Sequence, residues 1–360
     1  MAQILAMHED VIFDESIAHY EVHAYQPYAS SSYNNNNEIQ IAIQDQNLYL
    51  LPKIDRNSNV GVTSVIKGYE SQSPRQVSIL ENAGWLMNDT TSLNDANGNF
   101  GLSIPMSTLL GFAEHYLQVV FGARHKLIIK RTDVDINAVM QTADEDFKIT
   151  LEKMKWMMPS IKVSDKVKVG LLDSIAKDPI ISMSFRTWEL YEYPLLPATT
   201  KQIWAIKTST QLEKPRYVVL RFQTARKKNL RANANKFDHC NIHDVQLYLN
   251  SQCYPYANLN LDIANNQFAL LYDMYANFQT SYYNKESEPL LSKAKFLEQA
   301  PLVVIDCSKQ NESLKTGPVD VRLEFELGAN APAGTTAFCL ILHDRIVQYN
   351  PISGNVQKLM

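Results

Sequence analysis

Hydrophobic and polar positions alternate most strictly near the end of the chain, in the segment Val319–Leu327. Apolar residues occupy every second position and charged residues lie between them, which predicts an antiparallel strand that is buried on one face. Turn-forming residues follow at 328–334. The continuous apolar run Ala337–His343 then predicts a fully buried strand, which Ile346–Tyr349 continues. We therefore expect these two strands to form a β hairpin.

The segment Trp188–Thr224 is rich in aromatic and β-branched residues and is interrupted by Pro194, Pro197 and Pro215. Such side chains suit a pleated, half-buried surface, whereas proline is excluded from central strand positions. The pattern predicts three strands separated by two loops. Alternating apolar and polar residues at 245–249 predict one more strand.

Helical spacing is clearest at residues 266–283, where large apolar side chains recur every three or four positions. The spacing predicts an amphipathic helix whose tyrosines pack in the core; a row of rings that stacks on a ligand is the alternative. A second, short helix is predicted at Asp165–Lys177, capped by Ser164 and followed by a strand at Ile180–Phe185.

The first half of the chain also has the pattern of short strands, at Glu38–Ile43, Val60–Ile66, Lys126–Lys130 and Phe147–Met154, with a turn at Asn94–Asn99. Many short strands with few helices between them favour antiparallel sandwiches over a parallel sheet. The polar stretch Ser30–Asn37 predicts a flexible connection, so residues 1–37 are interpreted as an N-terminal arm.

Composition is that of an ordinary globular protein, with 45% hydrophobic and 20% charged residues and a net charge of -4. No overall basic field attracts nucleic acid. No apolar run approaches the roughly 20 residues that span a bilayer, and the N-terminal residues lack the pattern of a secretory signal. We therefore expect a non-secreted protein whose four cysteines are free thiols.

Candidate metal ligands cluster at His239, Cys240 and His243, with Cys253 further along the chain. Their spacing fits no common zinc site, so a loop histidine, a buried thiol and a histidine at the start of a strand are the favoured interpretation. The sequence has no phosphate-binding glycine loop and no hydrolase or metalloprotease motif. We predict no catalytic, cofactor-binding or metal-binding residues, no cofactor and no enzymatic activity.

Charged segments add two weaker candidates. The basic run Ala225–Arg231 lies between predicted strands and is interpreted as a solvated loop; contact with nucleic acid or with an acidic neighbouring subunit is the alternative. The acids at 144–146, and Asp133 and Asp135, have no partner at a spacing typical of paired-carboxylate catalysis.

Most of the chain resembles one family, the double jelly-roll major capsid proteins of Polinton (Maverick) elements and adintoviruses, together with their integrated copies in animal genomes. The most specific block is WELYEYPLLPATTKQIWAIKTSTQLEKPRYVVLRFQTARKKN at 188–229. The resemblance continues through FDHCNIHDVQLYLNSQCYPYANLNLDIANNQFALLYDMYANFQTSYY, LVVIDCSKQNESLKTGPVDVRLEFE and TTAFCLILHDRIVQYNPISGNV, and in the first half through RNSNVGVTSVIKGYES and NAGW.

The resemblance implies an all-β fold of two tandem antiparallel jelly-roll sandwiches with short inserted helices, at residues 38–190 and 191–360. It also implies a structural protein of the virion capsid, which forms pseudo-hexameric homotrimers that tile an icosahedron. The implied partners are other copies of the chain and penton or minor capsid proteins, with weak or indirect contact to DNA. Assembly would take place in the cytoplasm or nucleus of the host cell.

One departure from the family pattern lies at Pro52-Lys53. In the family, further strands separate the strand that corresponds to Glu38–Leu51 from the next motif, whereas here Leu51-Pro52 is followed directly by that motif, at 53–57. We therefore predict an incomplete first jelly roll, as in a degenerate or domesticated copy. A β-sandwich module that binds carbohydrate on tryptophan platforms is a second alternative. Its candidate platforms are Trp85, Trp156, Trp188 and Trp204, of which the last two are expected to be buried because they lie in strand-like stretches.

Overall fold

The computed structural model describes residues 17–27, 33, 38–43, 60–86, 92–118, 125–132, 134–141, 146–206, 215–309 and 319–359 of the 360-residue chain. Two compact units are formed. The first comprises residues 1–55, 115–185 and 345–359, and the second comprises residues 56–114 and 186–344.

The described residues form thirteen strands and eight α-helices. The strands are β1 Ile17–Tyr25, β2 Glu38–Ile43, β3 His125–Lys130, β4 Trp156–Val163, β5 Ile181–Tyr193, β6 Lys201–Ile206, β7 Pro215–Thr224, β8 Ile242–Leu249, β9 Gln252–Tyr254, β10 Val303–Asp306, β11 Val321–Leu327, β12 Thr335–Tyr349 and β13 Val356–Leu359. The helices are α1 Val60–Ser71, α2 Val77–Asn82, α3 Met106–Leu109, α4 Gly111–His115, α5 Asp165–Ile175, α6 Ala269–Ala276, α7 Phe278–Tyr283 and α8 Lys293–Gln299.

Two antiparallel pairs, β1 with β4 and β2 with β3, lie in the first unit. In β2 the alternating residues Ile39, Ile41 and Ile43 are buried, as the period of two requires. β13 pairs with the last residues of β12. Helix α5 starts after Ser164, which has the extended backbone of an N-cap residue but makes no side-chain capping bond.

Strands β5 to β12 form two facing sheets, in which the neighbouring strands follow the orders β10-β7-β12-β5 and β6-β11-β8-β9. Successive strands mostly alternate between the two sheets, so that β5, β7, β10 and β12 lie in one and β6, β8, β9 and β11 in the other. Eight antiparallel strands connected in this way form a jelly roll. The ring of Phe222 on β7 lies 5.3 Å from that of Phe325 on β11, which places both in the core between the sheets.

The sheet that contains β7 and β12 is buried on both faces, which explains their continuous apolar runs. Helices cover its outer face: the ring of Tyr217 on β7 packs edge-on against Phe278, 5.2 Å away, and against Tyr282, 5.4 Å away, on α7. Among the described residues, the other sheet is covered on one face only. Its strand β11 therefore alternates between buried and partly exposed residues, as predicted from Val319–Leu327.

Two predicted strands of the first half are wrong. Residues Val60–Ile66 begin helix α1 rather than a strand, because its buried residues follow the spacing of a helix face. Residues Phe147–Met154 form no ladder apart from one isolated bridge at Leu151. The backbone of Ile149 instead bonds to the side chains of Arg131, at 2.6 Å, and Asp135, at 3.3 Å, so these groups are not free for a neighbouring strand.

The predicted C-terminal hairpin is also wrong, although both of its strands are present. β11 pairs with β6 and β8, whereas β12 pairs with β7 in the opposite sheet. The loop at 328–334 therefore crosses from one sheet to the other. The predicted helix at 266–283 is present as two helices, α6 and α7, because the ψ angle of −12° at Asn277 departs from the roughly −42° of an α-helix.

The three strands predicted within Trp188–Thr224 are confirmed by β5, β6 and β7, and a loop at 194–200 separates the first two. The second predicted loop, at 207–214, lies outside the described residues. The division of the chain at 190/191 stays a prediction; β5 runs continuously across it. The predicted gap at Pro52-Lys53 lies outside the described residues, as does most of the predicted connection Ser30–Asn37.

Candidate functional site

The two histidines among the four candidate zinc ligands make hydrogen bonds within the protein, and burial affects the two cysteines. The Nδ1 atom of His243 lies 2.7 Å from the carbonyl oxygen of Leu261, and Nδ1 of His239 accepts a backbone N–H bond at 2.9 Å. Burial raises the pKa of Cys240 to about 11 and also raises that of Cys253, which favours the neutral thiols. In the part of the chain that the structure describes, no three metal-ligating side chains come together.

The basic segment Ala225–Arg231 is a loop after β7, as predicted. Its first two cations are committed to ion pairs. Nη2 of Arg226 lies 2.7 Å from Oδ1 of Asp238, and Nζ of Lys227 lies 2.7 Å from Oε1 of Glu192. These pairs reduce the charge that the loop offers to a polyanion.

The acidic candidates do not form a carboxylate pair in the described residues. Asp135 accepts two 2.9 Å bonds from Nη2 of Arg131, with both side chains largely buried. Asp146 is exposed, whereas Asp133 and residues 144–145 lie outside the described ranges. Asp135 is therefore a structural anchor for the backbone near Ile149.

The four tryptophans are buried or half-buried. Trp85 and Trp156 are each only 9% exposed. Trp188 packs against the core, and the ring of Trp204 lies 5.6 Å from that of Tyr193. The burial predicted for Trp188 and Trp204 is therefore partial, and these rings do not form the open platforms that sugar stacking requires.

Tyrosines of helices α6 and α7 lie in the core, which confirms the packing interpretation. Tyr275 stacks on Phe296 at 4.8 Å, and Tyr282 stacks on Phe278 at 4.8 Å. Burial raises the pKa of both tyrosine hydroxyls, so they remain neutral.

No local motif predicts the buried ion pair between Lys67 of α1 and Glu114 of α4. The Nζ atom lies 2.7 Å from Oε2 of Glu114, and Nζ also donates to the carbonyl oxygen of Ser107. Tyr283 donates from its hydroxyl to Oε1 of Glu114 at 2.5 Å, and the Trp188 ring lies 5.4 Å from the ammonium. This cluster joins four helices, α1, α3, α4 and α7, to β5. Lys67 and Glu114 are 47 residues apart in the chain, so no sequence spacing could have identified this ion pair.

Burial is the dominant influence on the ionisation of this cluster. It lowers the pKa of Lys67, and the neighbouring Glu114 carboxylate acts in the opposite direction. Burial and the same carboxylate raise the pKa of the Tyr283 hydroxyl well above its ordinary value. The tyrosine therefore stays protonated and keeps donating to Glu114.

A continuous apolar surface lies on one face of the β1–β4 pair, and we call it the outer ladder. Residues directly opposite each other in an antiparallel pair share a face. The cross-strand pairs of this face are Tyr20 with Ile161, Val22 with Pro159, and Ala24 with Met157.

Several side chains of the outer ladder are open to solvent. Tyr20 is 59% exposed, Val22 51% and Met157 54%. On the opposite face, Trp156 and Met158 are buried. Contiguous exposed apolar residues mark association surfaces. Alternation in the β1 sequence could have indicated this strand, which is instead assigned above to the N-terminal arm of residues 1–37.

The described helices include none that is long and apolar enough to cross a bilayer. The outer ladder is a surface suited to contact with another protein.

Comparison with known proteins identifies the fold. A family model described as the double jelly roll-like domain matches residues 36–347. The crystal structure of the mavirus major capsid protein superposes with a TM-score of 0.50 and 8% identity, covering 100% of this chain and 93% of that one. The cryo-EM structure of the Sputnik virophage gives 0.50 and 8%, covering 98% and 90%. No curated protein sequence matches the chain.

The match to the family model spans most of the chain, and the sheet orders of β5 to β12 independently describe a jelly roll. The predicted double jelly-roll fold is confirmed. The chain belongs to the double jelly roll-like domain family.

Proposed function

We propose that the chain is a structural subunit of a capsid, the major capsid protein of a DNA virus or a virus-like transposon. The observation that carries the proposal is the family match over residues 36–347, together with the eight-stranded sandwich of β5 to β12. The mavirus protein of the same fold is named as a major capsid protein. A shell subunit acts through its surfaces. The buried charged clusters described above hold elements of the fold together, which agrees with such a subunit.

The finer assignment is to the Polinton and adintovirus type, and it is supported by the sequence resemblance that is strongest at 188–229. In this proposal three copies form a pseudo-hexameric trimer and trimers tile an icosahedral shell, with penton or minor capsid proteins as further partners. The outer ladder supports self-association, because burying exposed apolar surface is favourable. The subunit resides in the virion after assembly in the host cell.

The proposal includes no enzymatic activity and only weak or indirect contact with DNA. It is supported by the ion pairs that occupy Arg226 and Lys227, and by the net charge of -4. A surface that holds DNA tightly has many unpaired cations and a steep dependence on salt.

Light scattering after size-exclusion chromatography tests the self-association directly. We expect a mass of three 41.0 kDa chains, or larger assemblies, over a range of protein concentrations. A monomer at every concentration would contradict the proposal and would favour a degenerate copy that no longer assembles.

A further inference from the structure

The most unusual buried residue is Arg221, which lies in the middle of β7 with 0% exposure. Its guanidinium carbon lies 3.8 Å from the ring centre of Phe237 and 5.2 Å from that of Phe338. Nη2 donates to the carbonyl oxygen of Val62 in α1 at 3.3 Å. Nε and Nη1 are buried and meet no protein acceptor in the part of the chain that the structure describes.

A second buried charge, Glu70, is carried by the same helix α1 and is 1% exposed. Neither carboxylate oxygen has a hydrogen-bond partner among the described residues. Thr63, seven residues earlier and so on the same helix face, also has a buried hydroxyl without a partner there. The nearby hydroxyl of Tyr275 is already committed, since it donates to the Tyr69 carbonyl oxygen at 2.9 Å and accepts from the amide of Leu291.

The two charges influence each other without touching. Burial raises the pKa of Glu70 well above its ordinary value, and the charge of Arg221 opposes this. Burial likewise lowers the pKa of Arg221, and Glu70 opposes that change. Neither a hydrogen bond nor a direct ion pair joins the two groups among the described contacts. Both oxygens of Glu70, on helix α1, and two nitrogens of Arg221, which contacts α1 at Val62, are therefore buried and unsatisfied by the described residues, and leaving them so is costly.

We propose that Glu70 and Arg221 enclose an internal hydration site, in which ordered water bridges the carboxylate to Nε and Nη1 of the guanidinium. A buried water makes about three hydrogen bonds to groups that would otherwise be unsatisfied, which matches the donors and acceptors present. Thr63, which follows Val62 in α1, has a further buried hydroxyl that finds no partner among the described residues. The bridge attaches helix α1, from residues 56–114, to the central strand β7 of the sandwich.

A crystal structure of the full chain, at a resolution that shows ordered water, tests the site directly. We expect density for water within about 2.7–3.2 Å of both a Glu70 oxygen and Nε or Nη1 of Arg221. Direct contact between carboxylate and guanidinium, a dry space between them, or a bound ion in place of water would overturn the proposal.

A double-mutant cycle in urea unfolding tests the energetic link, using Glu70→Leu, Arg221→Met and the combination. Each single substitution leaves one buried charge without its counterpart, so we expect a large fall in the unfolding midpoint. The double variant should regain most of that loss.

Losses that simply add in the double variant would contradict a bridged pair. Should a single variant fail to fold while the double variant folds, the link is supported. Should the double variant also fail to fold, the crystal structure of the unmodified chain gives the decision. The matched control cycle combines Arg221→Met with Leu249→Ala, a buried residue of β8 in the opposite sheet that takes no part in the bridge. The losses of these two substitutions should add.

Discussion

Gly111, the first residue of α4, has no room for a side chain. A Cβ atom there would lie 1.8 Å from the carbonyl oxygen of Arg186 on β5. Ordinary van der Waals contacts are about 3.5–4.0 Å, so helix and strand must separate by about 1.7 Å or more. Overpacking of this kind costs about 1–3 kcal/mol. We expect Gly111→Ala to cost close to the upper value, about 3 kcal/mol of unfolding free energy, because backbone atoms on both sides have to move.

The assay is urea unfolding followed by tryptophan fluorescence, in which a loss of ~3 kcal/mol lowers the midpoint by about 1 M or more. Gly170→Ala is the matched control: this residue is also helical, in α5, and a Cβ there meets nothing within 4 Å. Alanine is favoured over glycine in a helix by roughly 0.5–1 kcal/mol, so the control should raise the midpoint slightly. Equal midpoints for the two variants would refute the close approach of α4 to β5.

Three further predictions follow from buried groups. Lys67→Met leaves the Glu114 carboxylate buried without its cation and should cost about 3–5 kcal/mol of unfolding free energy, measured in urea; a loss below 1 kcal/mol would contradict the ion pair. Leu340→Ala removes a side chain with 0% exposure from β12 and should cost about 2–5 kcal/mol in the same assay, whereas Leu195→Ala, at a site 67% exposed, should change little. Burial raises the pKa of the Cys240 thiol to about 11, so its alkylation, followed by mass spectrometry, should be slow at pH 8 and accelerate up to about pH 11; rapid labelling at pH 7 would contradict this.

The sequence predicts elements best where one face alone is buried. β11 follows its alternation because one side meets the core and the other meets solvent. The pattern does not tell which strands pair. β11 and β12 could form a hairpin in one sheet or lie in two different sheets. Both arrangements require the same apolar positions and the same turn residues, so only long-range packing decides between them.

Residues 60–66 are predicted to form a strand but begin helix α1. The β-branched residues at 60–66 favour a strand by propensity, yet tertiary packing selects a helix. The buried face of this helix includes Lys67 and Glu70, which a hydrophobicity pattern places at the surface. Lys67 is buried against Glu114, and Glu70 influences Arg221; both counterparts are distant in sequence. The helix and its charged clusters therefore depend on contacts that are not local in sequence.

The outer ladder could be recognised in part from its sequence. Tyr20, Val22 and Ala24 alternate with polar residues, a pattern typical of a strand. The identity of the opposing strand is not local information, because β4 follows more than 130 residues later. Without that partner, the run of apolar positions does not reveal a surface.

Electron microscopy of particles assembled from the purified full chain tests the central claim most directly. The capsid proposal leads us to expect shells whose capsomers have a pseudo-hexagonal outline, each composed of three copies of this chain. Fields that contain only monomers or irregular aggregates, under conditions where the chain is folded, would contradict the assignment of this protein as a capsid subunit.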